Sequence, residues 1–459
     1  MKKLMLICAP VSSRSGYGAH ARDLVWSFMD SGKYNIKIQD VRWGECPRNA
    51  LKKDNPNDKK IMDCILSQPQ MDRQPDIYVD IRIPNEFETF GKFNIGITAG
   101  IETNAVSQKW LEGCNKMDLV IVPSEHSKTG FVNSIYDKVQ NLPDGKQQKV
   151  GELKLDKPME VIFEGSDEEI YKPLTKDEID SDFFDMLNEK VPEKFVFLSV
   201  GQWTKGGYGE DRKDLAKTIK IFYETFANKK KQPALIMKTN GATYSIIDRE
   251  ETLQKINSVK SQFPSDWKLP NVYLLHGEFS DTEMNYLYNH PKVKAFVSLT
   301  HGEGYGRPLQ EATMTGLPVI ATNWSGQVDF LDTEKSILIG GTMGQVPRSQ
   351  VWENIIVEQS QWFNVDETSA GKALLYCFEN EYEVKNKAKS LMSINRDKFT
   401  YRKMTELLNE VVENKTSNII PPPSQVQLKL PKLKKVGNKT NPPKIKLPKL
   451  KKVTEGVSI

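Results

Sequence analysis

A chain of 459 residues, 38% hydrophobic and 27% charged, has room for two α/β domains with sizeable cores, and that balance excludes a largely disordered or membrane-embedded protein. Its net charge of +4 is unevenly placed: residues 418–459 hold ten lysines and one acid, Glu455, which leaves the rest of the chain about five charges negative. Five cysteines, Cys8, Cys46, Cys64, Cys114 and Cys377, form no close pairs, which argues against a zinc or redox motif and fits a reducing, cytoplasmic setting.

Met1-Lys2-Lys3 and the apolar run 4–10 look superficially like the start of a signal peptide, but the run is short and Ser12-Ser13-Arg14 follows. It is predicted as a buried first strand, and no run of about 18 apolar residues occurs to span a membrane. Further β-rich runs follow at 36–41, 77–83, 93–98, 119–123 and 161–164, with amphipathic stretches such as 19–29 and 129–136 between them. Such alternation implies a parallel sheet with helices on both faces. After a polar connector the cycle restarts, with strands at 195–200, 234–238, 272–276, 295–299, 319–322 and 337–339, and helices such as 214–227, 248–263 and 282–290.

The expected organisation is therefore a Rossmann-like domain over 1–166, a connector over 167–193 and a second Rossmann-like domain over 194–396. A last helix over 397–416 is expected to pack across both domains, ahead of a disordered tail over 417–459. In that tail the sequence Lys-Leu-Pro-Lys-Leu-Lys-Lys-Val occurs twice, at 429–436 and 446–453. Pro431 and Pro448 prevent a continuous helix there, and the lysines suit an anionic membrane surface or a nucleic acid. A solubilising extension fits the same composition. Ligands on doubly wound sheets bind beyond the carboxyl ends of the strands, so the natural active site is a cleft between the two domains.

The richest segment for chemistry runs from His301 to Ala312, between a strand and a helix. Pro308 suits the start of that helix, where its missing N–H costs nothing and free backbone N–H groups face the cleft. Gly304 and Gly306 allow close approach to the backbone. Tyr305 is counted with them as a donor contact. Glu303 can accept hydrogen bonds from sugar hydroxyls, and Glu311 can grip a ribose diol, since a carboxylate has two acceptor oxygens. The plainer alternative is a structural turn with two solvated acids.

Glu303, seven residues and Glu311, followed by Gly316-Leu317-Pro318-Val319-Ile320-Ala321-Thr322 and Trp324-Ser325-Gly326, resemble glycosyltransferase family 4 of the retaining GT-B class. The resemblance implies two Rossmann-like domains facing a cleft, a nucleotide-diphosphate sugar as co-substrate, a hydroxyl acceptor and no metal or other cofactor. It implies that Arg212 and Lys213, with Lys238 as a second candidate, neutralise the departing diphosphate. It also implies that the loop Ser15-Gly16-Tyr17-Gly18 lies near the sugar and phosphates. Read literally, Gly16-x-Gly18-x-x-Ala21 with Asp40 also fits a dinucleotide fingerprint, which keeps an NAD-dependent oxidoreductase as an alternative, although Val11 to Ser15 stand where a tight turn is wanted. A non-catalytic nucleotide-sugar-binding relative is the other.

Gly100-Ile101-Glu102-Thr103 looks like a family subgroup with a Glu-Thr pair at a cleft-facing strand end, which makes Glu102 a candidate for contacting acceptor or donor sugar. Many relatives carry a histidine near that point and this chain does not. Glu164-Gly165-Ser166-Asp167 resembles the family's interdomain turn, with Glu164 replacing the usual histidine. The five histidines show no metal-ligand spacing, and the single Asp-x-Asp, Asp180-Ser181-Asp182, sits in the polar connector away from any strand end.

Overall fold

The computed structural model describes residues 2–420 except Pro69, 142–146 and Gly207. The repeats at 429–453, and the disorder expected of the tail from 421 onward, lie outside the described residues.

The first half carries β1 (Lys3–Ala9), α1 (Gly16–Asp30), β2 (Tyr34–Asp40), α2 (Pro56–Cys64), β3 (Ile77–Ile81), β4 (Phe93–Ile97), α3 (Gln108–Cys114), β5 (Leu119–Val122) and α4 (Glu125–Asn133). A hairpin of β6 (Tyr136–Asn141) and β7 (Gln147–Leu153) then precedes β8 (Met159–Val161). Six strands form one parallel sheet in the order β2-β1-β3-β4-β5-β8. Met5, Ile7, Val79, Ile95 and Ile121 are fully buried, as strands covered on both faces require. Each such side chain contributes about 1.5–3 kcal/mol on burial.

The second half carries α5 (Ser181–Lys190), β9 (Val196–Val200), α6 (Leu215–Phe226), β10 (Ala234–Lys238), α7 (Ile246–Lys260), β11 (Val272–Leu275), α8 (Asp281–Asn289), β12 (Val293–Ser298), α9 (Arg307–Met314), β13 (Val319–Thr322) and β14 (Ile337–Ile339). Its parallel sheet runs β11-β10-β9-β12-β13-β14. An antiparallel pair, β15 (Gly341–Gln345) and β16 (Gln361–Val365), follows, then α10 (Glu367–Glu379), α11 (Glu381–Lys398) and α12 (Tyr401–Thr416). In each sheet the order reverses beside its first strand, between β1 and β3 and between β9 and β12. The loops that leave those strands carry most of the candidate residues.

Several elements differ from the sequence expectation. The sixth strand ends at Val161 because the chain bends toward the crossover, although the Ile162 N–H still donates to the Val122 carbonyl at 2.9 Å. The polar connector contains α5, whose Leu187 is buried with Tyr171 and Val196 in the second domain's core. Asp180 caps α5 by accepting from the Phe183 N–H, so the Asp-x-Asp is a helix start.

The chain crosses between domains twice, and the two crossings touch. The Ser166 N–H donates to the Phe399 carbonyl at 3.2 Å, and the Tyr401 N–H donates to the Ser166 carbonyl at 2.7 Å. The segment 397–416, expected as one last helix packing across both domains, comprises the end of α11 and then α12: Phe399 between them packs against the second domain's core, and α12 buries Met404, Leu408 and Val412 in the first domain's core with Met5 and Phe28. The apolar stripe of α12 itself faces the first domain.

Candidate functional site

After β12 the chain runs through Thr300–Gly306 into α9. Gly306 has φ +100°, a left-handed conformation that favours glycine, and turns the chain into the helix. Arg307 is the first helical residue and Pro308 the second. The Gly306 carbonyl accepts from both the Leu309 and Gln310 N–H groups, at 3.0 and 3.1 Å. The crown of free N–H groups expected at this helix start is therefore thinner than foreseen.

The β9–α6 loop lies against this segment because the Arg212 carbonyl accepts from the His301 N–H and from Thr300 Oγ1, both at 3.0 Å. Lys213 Nζ thereby reaches Glu303 Oε2 at 2.6 Å, with both side chains mostly buried. Arg212 crosses the domain seam to pair with the Glu102 carboxylate. Two of the expected cations thus meet two of the expected acids. Lys238 behaves differently: its Nζ donates to the Gly277 carbonyl at 2.7 Å and lies 4.7 Å from the Phe279 ring centre. Burial lowers its pKa to about 8. The same loop holds Asp211 and Asp214, which burial raises to about 6, with Lys217 at 2.7 Å opposing the rise at Asp214. His301 stacks on Trp362 with ring centres 4.1 Å apart and places Nδ1 2.7 Å from the Phe363 carbonyl.

In the first domain, Gly16 opens α1, and a Cβ there would meet nothing within 4 Å. At Gly18 a Cβ would lie 2.2 Å from the Ser13 carbonyl oxygen, so that glycine is required by the turn before α1. Residues 10–15 separate β1 from α1. The tight turn of a dinucleotide fingerprint is therefore missing, and Gly18 has a reason to be glycine without one.

The two domains touch through glycines. A Cβ on Gly304 would lie 2.0 Å from the Ala99 carbonyl oxygen, and one on Gly302 would lie 2.1 Å from that of Glu102. Ser124 Oγ donates to the Gly304 carbonyl at 2.6 Å, also across the seam. The space these glycines leave open is filled by the 99–102 loop, which brings the two domains into contact at this seam. The cavities lined by Leu6, Met71 and Phe90 (about 310 Å³) and by Thr405, Glu406 and Asn409 (about 420 Å³) lie away from it.

Glu311 sits in this seam, only 6% exposed, and it faces polar groups. Arg307 Nε donates to its Oε1 at 2.9 Å and the Tyr288 hydroxyl to its Oε2 at 3.4 Å. Arg307 Nη1 reaches Asp23 on α1 of the other domain. Burial raises the Glu311 pKa to about 7, with Arg307 opposing the rise. Glu164, at the crossover, is likewise raised to about 7 by burial, and Asp23, Glu311 and Glu303 add to the rise. Tyr305, counted as a donor contact from the sequence, has its ring packed on Phe330 at 5.1 Å in the second core, and its buried hydroxyl has no partner among the described residues. An apolar ring beside a packed core lowers its energy by turning inward.

Sequence reading passed over Arg307, Asp23 and Ser325, whose Oγ accepts from the Glu303 N–H at 2.8 Å. One signal was available for Asp23. It is an acid on the buried face of α1, among Ala21, Leu24, Val25 and Phe28.

No family model and no curated protein matches the chain. Solved structures do. HepE of Anabaena in complex with UDP-glucose superposes with a TM-score of 0.55 at 14% identity, over 90% of this chain and all of that one. Sucrose-phosphate synthase of Thermosynechococcus elongatus gives 0.59 at 12% identity, over 91% of this chain and all of that one. A glycosyltransferase of Rickettsia africae gives 0.58 at 13%, over 91% and 99%. With two parallel-sheet Rossmann-like domains closing on one seam, the chain has the GT-B fold.

Proposed function

We propose that the chain transfers a sugar, with retention, from a nucleotide-diphosphate donor held by the second domain to a hydroxyl acceptor held by the first. The observation that carries this is the pairing of Glu303 with Lys213 at the switch point of the second sheet, beside the start of α9, the helix that bears Glu311. Donor departure leaves negative charge on the diphosphate, and Lys213, Arg212 and the α9 N-terminus supply positive charge there without a metal. Glu303 engages hydroxyls of the transferred sugar, Glu311 the ribose, and Glu102 the acceptor side. The departing phosphate takes the acceptor proton, so no protein nucleophile is required.

Because the seam is closed, a donor enters only when the domains part, and closure over it then excludes water that would hydrolyse it. The fold is shared with HepE, whose structure contains UDP-glucose, which makes nucleotide sugars the first compounds to try. The lysine-rich repeats at 429–453 bring the enzyme to an anionic surface, either lipid or nucleic acid. Among the described residues no helix is long and apolar enough to cross a membrane.

The test is a thermal-shift screen of UDP-, GDP- and ADP-sugars and of NADH on the full chain and on Glu311→Ala, followed by a transfer assay. The parent should be stabilised and turn over, and the variant should fold normally yet do neither. Transfer at the parental rate by Glu311→Ala removes the proposal. Stabilisation without turnover identifies a binding protein, and stabilisation by NADH alone an oxidoreductase.

A further inference from the structure

Arg307 is an unusual occupant of its position. A cation at the first residue of a helix opposes the helix dipole, and burial adds a desolvation cost. Arg307 nevertheless stands partly buried at the start of α9, its side chain 17% exposed, held by Glu311 one turn along the same helix and by Asp23 from α1 of the other domain. Three parts of the molecule, the second domain, the first domain and the Glu164 crossover, converge on this one guanidinium. Nothing in the transfer chemistry above uses it.

We propose that Arg307 is a positioning residue for donor recognition. Anchored across the seam by Asp23 when the cleft closes, it aligns the Glu311 carboxylate so that both oxygens face the two hydroxyls of the donor ribose. The inference rests on Glu311 being the ribose ligand.

The surroundings explain why a cation is needed. Glu311 is faced by Arg307 on its own helix, Tyr171 from the connector, Tyr288 and Asp281 from α8 and Glu164 at the crossover, while Asp23 from α1 pairs with Arg307. Apart from Arg307 these are acids and phenols. Arg22 and His20, just before Asp23 on α1, lie within reach of the Arg307 charge, and burial holds His20 neutral, with its pKa lowered to about 3. Removing the guanidinium therefore leaves Glu311 in a buried, acid-rich setting that favours protonation. A protonated carboxyl keeps one good acceptor where a diol needs two.

The sign follows directly. Glu311 binds the diol in its ionised form, so donor affinity rises as pH rises through the Glu311 pKa. Loss of Arg307 moves that rise to higher pH, and Arg307→Lys, which keeps the charge, restores part of it. Asp23→Asn has the opposite character. It leaves the Arg307–Glu311 pair intact and removes one acid, so the affinity profile stays or shifts to lower pH while closure is weakened.

The probe is UDP against 2′-deoxy-UDP, titrated from pH 6 to 9 into the full chain, Arg307→Met, Arg307→Lys, Asp23→Asn and Glu311→Gln. UDP should be preferred by the parent about ten- to a hundredfold, as for a hydrogen bond to a charged group. Arg307→Met should lose that preference at pH 7 and regain it toward pH 9, with Arg307→Lys in between. For Asp23→Asn the preference should persist, with kcat for transfer lowered at least about tenfold, the effect of one lost charge-assisted contact. An Arg307→Met profile that superimposes on the parent overturns the inference. If Arg307→Met does not fold, Asp23→Asn decides alone, and parental kcat overturns it. Should Glu311→Gln keep the full preference for UDP, the ribose assignment itself fails. Should it lose the preference while Arg307→Met behaves as the parent, only the role of Arg307 fails.

Discussion

Replacing Gly304 by alanine tests whether the closed seam is needed for turnover. The new Cβ would lie 2.0 Å from the Ala99 carbonyl oxygen, about 1 Å inside the closest approach that real Cβ atoms show. The obstacle is backbone, so no side chain can swing away. The 302–304 loop has little room to retreat either, because the backbone of Gly326 packs directly behind it and donates its N–H to the Glu303 carbonyl at 2.9 Å. The first domain's 99–102 loop must therefore yield, which means opening the seam. Overpacking of this kind costs about 1–3 kcal/mol, and if it falls on the closed state alone that state becomes about 5–150 times less populated. Turnover should fall by a similar factor, while donor affinity, set by the second domain, changes much less. The assay pairs steady-state transfer with small-angle scattering, which should show a larger radius of gyration, and with a melting curve displaced by only a few degrees. Parental turnover together with parental dimensions would refute the role given to closure.

Two further outcomes are expected. Lys213→Met removes the cation paired with Glu303, and kcat should fall by about a hundred- to a thousandfold, the usual effect of losing one group that stabilises developing charge. Single-turnover transfer measures it, and a variant as fast as its parent would take Lys213 out of the chemistry. Truncation at Asn418 removes ten lysines and one acid, and should leave the melting temperature unchanged while abolishing salt-sensitive binding to DNA or anionic vesicles. Retained binding would move that property to the body.

The strands were legible because their code is local. Runs such as 4–10 and 119–123 are continuously apolar, and only a strand covered on both faces buries every residue of so short a run. The Glu303-to-Glu311 segment was legible for a similar reason, since a strand, glycines, a proline and a helix follow one another without gaps. The β6–β7 hairpin was missed because Val139 and Val150 are half exposed, which leaves no buried face to give the sequence a period. α2 was missed because its nine residues are mostly polar, and Asn55 with Pro56 is the main mark of its start. The Arg307–Asp23 pair could not be read at all, because it joins residues 284 apart whose meeting depends on how two separate sheets dock. The surroundings of Tyr305 were hidden for the opposite reason. Its neighbours in sequence belong to the loop, but its neighbour in space is Phe330.

The placement of α12 bears on how the molecule is made. Synthesis supplies the six strands of the first sheet by residue 161, yet Met404, Leu408 and Val412, which close one side of that domain's core, emerge last. At roughly 5–20 residues per second, about ten to fifty seconds of translation separate the two events. During that interval the nascent first domain exposes apolar surface from Phe28 and its neighbours, while the second domain, encoded between them, can finish before it. The portion translated first is therefore the last to mature, and any ribosome-stalled or C-terminally clipped product ending before residue 401 should be captured by chaperones through that uncovered wall.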